Sequence, residues 1–432
     1  MRRLVARLAS TPDAAQSPAK LPLLHRSLLP FLSLASSLYG FSLFLRRNLY
    51  RCGLLRGHRQ DECHCSSPSL SVFFLIFRSL IALVSRLGVF LRLPVPVVSV
   101  GNLTWGGNGK TPMTEFVARI FLDTGMAPLI LTRGYAGGDE AAMLRRHLLN
   151  TPARIGLGAN RAAVATSFLE KYGYSCCDWL QQKTSTRKEY LTRSSESAIG
   201  VIILDDGFQN WSLVRDLDIV MVNGMMPWGN RKLVPRGTLR EPLDALKRAG
   251  IGVIHHADLV SDIQLKALET AMLNVKKTLP IFFSRLASSC FFDIKDVHTT
   301  IPARIIKNMV VLCVSAIGFP SAFSQGIEKI GALHVDQLDF VDHHFIQPED
   351  IMLIRQRLRK LEDKFGTKPL VVVTEKDYDR DTEILKEIRE FRVLVVCSSL
   401  EIIPFAGRTA EDFKELMKNL LHKENRTCNG GD

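Results

Sequence analysis

From Pro94 onward, short apolar runs rich in valine, isoleucine and leucine alternate with segments whose apolar residues recur at helical spacing. Brief apolar runs bounded by turn residues fit buried strands, and the longer periodic segments fit helices with one face on a core. The pattern predicts strands at 96–100, 128–132, 153–157, 199–204, 217–222, 251–255, 310–315, 370–374 and 393–397. It predicts helices at 112–123, 159–171, 239–249, 321–331, 349–363 and 383–390. Such alternation specifies a parallel α/β sheet covered on both faces. Residues 181–198 are polar without a period and read as a surface loop. Residues 286–309 also lack a period and are expected to link two lobes.

Ahead of Pro94 the pattern changes. Residues 27–45 carry no charge, and Arg46 and Arg47 follow at once. The length allows a membrane span, but Pro30 and Ser33, Ser36, Ser37 and Ser42 make the stretch weakly apolar. Across Val72–Leu91 the only polar residues, Arg78, Ser79, Ser85 and Arg86, share one third of a helical wheel. That geometry suits a helix lying in a bilayer interface, whereas two unpaired arginines would be costly inside a core. Peripheral or monotopic membrane attachment is expected. Residues 1–20 place Arg2, Arg3 and Arg7 opposite Leu4, Val5 and Leu8, and Asp13 is the only acid before Asp61. This is the composition of a mitochondrial or plastid transit peptide.

The strand at 96–100 breaks into Gly101-Asn102-Leu103-Thr104-Trp105-Gly106-Gly107-Asn108-Gly109-Lys110-Thr111, with a periodic helix behind it. Strand, glycine-rich turn and helix in that order form the anion site of P-loop proteins, where backbone N–H groups and the helix N-terminus face phosphate. Thr104, Trp105, Gly106, Gly107, Asn108, Gly109, Lys110 and Thr111 are the candidate ATP-binding residues. Lys110 would reach the β- and γ-phosphates, and the Thr111 hydroxyl would ligate Mg²⁺. Thr104 stands where the strict pattern has glycine, so the paired Gly106-Gly107 marks a variant loop.

Three further clusters carry chemistry. The apolar run Ile199–Leu204 ends in Asp205-Asp206-Gly207-Phe208-Gln209. A parallel strand delivers its C-terminal end to the ligand crevice, where an aspartate beside a P-loop holds Mg²⁺ or caps the next turn. Asp139 and Glu140 follow Gly137-Gly138 after the strand end Leu131-Thr132-Arg133-Gly134-Tyr135. Asp342-His343-His344 lies in a polar loop, where an aspartate can set an imidazole tautomer.

Size and charge narrow the partners. At 432 residues and 46% hydrophobic the chain can form two or three domains. A net charge of +13 points to phosphates or a membrane surface. No nucleic-acid-binding motif is present, so no nucleic-acid partner is expected. The nine cysteines, Cys63-His64-Cys65 and Cys176-Cys177 among them, lack zinc spacing and read as free thiols of a reducing compartment.

Taken together, these motifs resemble the tetraacyldisaccharide 4′-kinase (lipid A 4′-kinase) family over roughly 22–56 and 94–400. The likeness rests on Val95–Thr111, Arg133-Gly134-Tyr135 with Gly138-Asp139-Glu140, and Asp205-Asp206-Gly207-Phe208-Gln209 with Arg215-Asp216-Leu217. Leu233-Val234-Pro235, Leu239-Arg240-Glu241-Pro242, Asp342-His343 and Thr374-Glu375-Lys376-Asp377 extend it, and Leu28-Leu29-Pro30 to Leu49-Tyr50 looks like the family's membrane-docking helix. The resemblance implies two α/β/α lobes and transfer of the ATP γ-phosphate to the 4′-hydroxyl of an acylated glucosamine disaccharide 1-phosphate. It implies Asp139, His343 and Lys110 as catalytic, with Asp139 as base and His343 orienting it. Thr111, Asp206, Glu140 and Gln209 are the metal-shell candidates. The expected divisions are a transit peptide at 1–20, a membrane-associated region at 21–93, a kinase domain at 94–300 and a smaller lobe at 301–432. A monomer associated with a mitochondrial membrane is expected, with the plastid as the alternative organelle. Three departures stand out. Asn210 replaces the family's histidine, the connection from Tyr135 to Gly138 is short, and residues 57–93 have no family counterpart. The rival reading is a membrane-associated P-loop ATPase that hydrolyses ATP without phosphorylating lipid.

Overall fold

The computed structural model describes residues 23–51, 91–134, 138–175, 198–388 and 390–425. The transit peptide, the Val72–Phe90 amphipathic stretch, Tyr135, the loop at 181–197 and the paired cysteines therefore lie outside the described residues. In chain order the elements begin with α1 (Leu23–Arg51), β1 (Val97–Asn102), α2 (Lys110–Asp123), β2 (Ala127–Thr132), α3 (Asp139–His147), β3 (Arg154–Leu157) and α4 (Arg161–Tyr172). They continue with β4 (Ile199–Asp205), β5 (Leu217–Asn223), β6 (Ile251–His255), α5 (Asp262–Val275), β7 (Ile281–Asp293), β8 (Asp296–Pro302), β9 (Val310–Ser315) and α6 (Pro320–Ile330). The last are β10 (His334–Asp339), α7 (Pro348–Phe365), β11 (Leu370–Thr374), α8 (Glu375–Arg380), α9 (Thr382–Leu385), β12 (Arg392–Ile403) and α10 (Ala410–Asn425).

One sheet runs through the molecule in the order β10-β9-β11-β12-β7-β6-β5-β1-β4-β2-β3, with β8 hairpinned onto β7. Every neighbour along that path is parallel except β12 and β7, which pair antiparallel from Leu394↔Asp293 to Ile403↔Phe283. The fully buried strands β1, β2, β4, β5, β6 and β9 are the valine- and isoleucine-rich runs, since helices cover both faces. Packing divides accordingly. Val100, Val117, Phe121, Ile203 and Phe282 share one core, and Val314, Ile354, Val373 and Val395 share another. Residues from β12 and α10 return to the first core: Leu400, Ile402, Phe413 and Met417 are buried there.

Several expectations need correction. The featureless stretch 286–309 holds the outer half of β7, the strand β8 and a 3₁₀ turn at Ala303–Ile306. Its exposure on both faces erased the alternation that marks a strand. The helix expected at 239–249 shrinks to a 3₁₀ turn at Leu243–Arg248. Leu239 and Arg240 are extended instead, their N–H groups donating to Lys232 O and Leu103 O. The helix expected at 383–390 is limited to α9, and α3, α5 and α10 are helices the periodicity did not predict.

Helix α1 is long and apolar enough to cross a membrane over Leu28–Asn48. One face packs against the 233–244 segment: Arg236 N donates to Ser36 Oγ at 3.0 Å, and Tyr39 OH donates to Arg240 O at 2.9 Å. Phe31, Leu34, Leu38, Phe41 and Phe44 are exposed on the helix.

Candidate active site

Parallel pairing of β1 between β4 and β5 carries the glycine loop to the C-terminal edge of the sheet. Gly109 adopts φ +74 just before α2, and a Cβ there would lie 2.5 Å from the His255 ring, so no other residue fits without displacing it. Helix α2 starts at Lys110 with no side-chain cap and no acid in its first turn. Its N-terminal N–H groups are therefore open to an anion. Asn108 braces the loop through Nδ2, 3.2 Å from both the carbonyl and the hydroxyl of Thr104, while Trp105 is half exposed. Burial holds the neighbouring His255 and His256 well below the usual imidazole range, His256 at about 4, leaving both neutral.

The two acids at the end of β4 divide their tasks. Asp206 turns into the left-handed region at φ +52 and accepts from Arg240 Nη1 at 2.7 and 2.9 Å, with Lys110 Nζ at 3.5 Å. Burial would raise its carboxyl, but Lys110 and Arg240 outweigh that and hold it at about 2. Asp205 is buried and accepts from Thr114 Oγ1 at 3.2 Å, with Thr111 Oγ1 3.5 Å away. Burial, then Glu140 and Asp206, push it up to about 7. A carboxylate so poorly neutralised, beside the Thr111 hydroxyl and the phosphate cradle, is a hard-oxygen set that fits Mg²⁺. Of the metal-shell candidates, Thr111 stands in this set. Glu140 instead accepts from Lys376 Nζ at 3.3 Å. The Gln209 amide donates to Asn102 O at 2.9 Å and Glu241 Oε1 at 3.2 Å.

Asp139 opens α3 after Gly138, at φ +81. It is 2% exposed, and its Oδ2 accepts from Arg380 Nε and Nη2 at 3.1 and 2.9 Å and from His343 Nδ1 at 3.0 Å. Burial opposes ionisation, yet the His343 hydrogen bond, the Lys376 charge and Arg380 hold the carboxyl at about 2. His343 sits at φ +62, its N–H anchored on Ala316 O at the end of β9. With Nδ1 donating to Asp139, its Nε2 is the acceptor, 3.5 Å from Lys376 Nζ. His343 lines the cavity and Asp139 stands behind it.

Helix α8 is the piece that sequence reasoning missed. Besides Lys376 and Arg380, its Glu375 accepts from Arg146 at 3.0 Å and faces His147 Nε2 at 2.7 Å, and its Asp379 accepts from Arg146 at 2.8 Å. His147 Nδ1 meets Glu115 of α2 at 2.6 Å. Burial would lower His147, but Glu115 and Glu375 on its two nitrogens raise it to about 9, so it is an imidazolium. The Thr374-Glu375-Lys376-Asp377 string was the only hint in the sequence. Its meaning depends on partners more than 200 residues away.

A cavity of about 350 Å³ joins these groups, lined among others by Lys110, Thr111, Glu140, Asp206, His343 and Lys376. Phosphoryl chemistry needs one place that absorbs nucleotide charge and another where an acceptor gives up its proton. Here the glycine cradle with Lys110, and His343 backed by Asp139, open on one cavity. The class so defined is a P-loop phosphotransferase. More narrowly, the chain belongs to the tetraacyldisaccharide-1-P 4′-kinase family, whose profile matches residues 67–421, so most of the 57–93 stretch expected to lack a family counterpart falls inside the match. It is 46% identical over 424 residues, 98% of both chains, to the probable mitochondrial tetraacyldisaccharide 4′-kinase of Arabidopsis thaliana. It is 31% identical to the tetraacyldisaccharide 4′-kinase of Halothermothrix orenii, covering 65% of this chain and 73% of that one. The fold is shared with the Aquifex aeolicus LpxK structure solved with ATP, at a TM-score of 0.55 and 22% identity over 92% of this chain and 100% of that one.

Proposed function

We propose that this chain transfers the γ-phosphoryl group of ATP to the 4′-hydroxyl of a tetraacyldisaccharide 1-phosphate, at a mitochondrial membrane surface. The observation that carries the reading is the single cavity in which Lys110 and the Asp139–His343 pair meet. Backbone N–H groups at the start of α2 and the Lys110 ammonium take up the negative charge of the phosphates. When bound, Mg²⁺ supplies further charge neutralisation, and Asp205 with Thr111 would hold it. The attacking hydroxyl gives its proton to the Asp139–His343 pair through Nε2, the end that faces the cavity, while Asp139 fixes the tautomer from behind. A positioned base of this kind contributes about 10²–10⁴-fold. The sequence reading made Asp139 the base and His343 its support; the burial of Asp139 and its Arg380 ion pair favour the reverse order.

The apolar stripe of α1 suits contact with a lipid surface, which is where an acylated substrate lies. The test is transfer of radiolabelled γ-phosphate to tetraacyldisaccharide 1-phosphate in detergent micelles, using the intact chain. Labelled lipid from the wild-type protein supports the proposal. Release of free phosphate alone, at a rate that His343→Gln and Asp139→Asn leave unchanged, would establish the ATPase reading in its place.

A further inference from the structure

We propose that Lys376 is a catalytic residue, whose ammonium contacts the oxygens of the phosphoryl group in flight from the side opposite Lys110. The inference rests on the kinase reading and adds to it a group brought in by α8. Four charged residues of α8 are committed to packing. Glu375 and Asp379 hold Arg146, Asp377 accepts from Ala316 N at 3.1 Å, and Arg380 holds Asp139 at 2.9 Å. Lys376 differs. Its carboxylate contacts are long, Glu140 at 3.3 Å and Asp342 at 3.7 Å, and both partners line the cavity with it. A half-buried lysine with carboxylates at such distances is held in place without being saturated.

Position completes the argument. The hydroxyl that donates to His343 Nε2 must lie within hydrogen-bond reach of it, about 3 Å away. The γ-phosphorus then sits about 3 Å beyond that oxygen in a near-attack arrangement. Lys376 Nζ, 3.5 Å from Nε2 and lining the same cavity, is within reach of the oxygens of a phosphoryl group so placed. In the step, the acceptor oxygen forms a bond to γ-phosphorus and the bond from γ-phosphorus to the β,γ-bridging oxygen breaks. Its electron pair stays on ADP, and the hydroxyl proton passes to His343 Nε2. Charge building on the equatorial oxygens is met by Lys110 on one side and Lys376 on the other. Burial works against the Lys376 charge, but Glu140, Asp342 and Asp139 raise its pKa and keep it an ammonium.

The experiment compares Lys376→Met and Lys376→Arg with wild type in the micelle assay, with ATP affinity and melting temperature measured on the same samples. Removing one preorganised donor lowers kcat by about 10²–10³-fold. Lys376→Met is expected to do so with ATP affinity changed less than about threefold, because the contact forms only in the transition state. Lys376→Arg, which keeps charge but displaces it, is expected to lose about tenfold in kcat at wild-type melting temperature. Wild-type kcat in Lys376→Met overturns the proposal. Should Lys376→Met not fold, wild-type kcat in Lys376→Arg overturns it, since a mere ion-pair tie accepts either cation. If wild type labels no lipid, the kinase reading has failed by itself. The same variants read on ATP hydrolysis then decide the role of Lys376, with the same ordering expected.

Discussion

Two strand-to-helix turns face each other across the cavity, β1 to α2 and β11 to α8. Both follow parallel strands in the sheet, and each puts a lysine in the first turn of its helix. Their caps are opposite. The α2 turn is capped by Gly109 without a side-chain bond and has no acid in its first turn, so its N–H groups stay open to phosphate. The α8 turn is closed by its own residues: Thr374 Oγ1 accepts from Asp377 N at 3.2 Å, and Glu375 and Asp377 fill the first turn. A bare cap makes a turn that binds an anion, whereas a satisfied cap makes a rigid post that presents side chains. Chemistry at the site is thus divided between a cradle and a post.

The largest effects should follow from breaking the cradle. Lys110→Met removes the ammonium proposed to meet the phosphates and leaves Asp206 with Arg240. The expected outcome is a loss of about 10³-fold in kcat/KM for lipid phosphorylation, measured by steady-state kinetics. On the post side, His343→Gln and Asp139→Asn should each lose about 10²-fold or more in kcat. The two sharpen the comparison through which loss is larger. His343→Gln should lose at least as much as Asp139→Asn, because the Nε2 of His343 faces the cavity and Asp139 stands behind it. If Asp139→Asn loses activity and His343→Gln keeps it, Asp139 is the direct acceptor.

Legibility in the sequence divides along the same line. The cradle is local: a strand, glycines at fixed offsets, then Lys110 and Thr111 all fall within 16 residues, and each type has a steric or charge reason. The post is not local, because Arg380 meets Asp139 across 241 residues and Lys376 meets Glu140 across 236. Read alone, 374–380 is a short charged helix. Asp205 and Asp206 were visible as a pair, but the left-handed φ at Asp206 that sends one to Thr111 and the other to Arg240 leaves no mark on composition. Buried parallel strands announced themselves as apolar runs. The β7–β12 ribbon did not, since its middle is partly exposed. Helix α10 escaped because, among its side chains described over 410–419, only Phe413 and Met417 are fully buried.

A smaller effect tests whether cradle and post move as one. His147 joins Glu115 of α2 to Glu375 of α8, and its pKa is raised from the ordinary 6.5 to about 9. Stability from this imidazolium is fully present below about pH 6.5 and is lost as pH rises through 9. A shift of that size corresponds to about 3 kcal/mol. Urea denaturation of wild type and His147→Gln should show the gap between them closing by about that amount between pH 6 and pH 10. A gap that does not change with pH would mean that the cradle and the post are held together without His147.

The smallest effect isolates the cap itself. Thr374→Ala deletes the hydroxyl that accepts from Asp377 N and donates to Asp377 Oδ2 at 2.7 Å. Loss of an N-cap side chain costs about 1 kcal/mol, read from the urea midpoint at unchanged slope. Asp377 is still held by Ala316 N and Arg380, so α8 should remain docked and ATP affinity should stay at the wild-type value. What should change is kcat, by less than about tenfold, because a post with a frayed base positions Lys376 and Arg380 less tightly. The corresponding change in the cradle, Gly109→Ala, should act on nucleotide affinity before anything else, since its new Cβ would strike the His255 ring. Opposite signatures from two cap mutations, one on kcat and one on ATP binding, are what the division predicts. If both fell on ATP binding, the post would be part of the cradle.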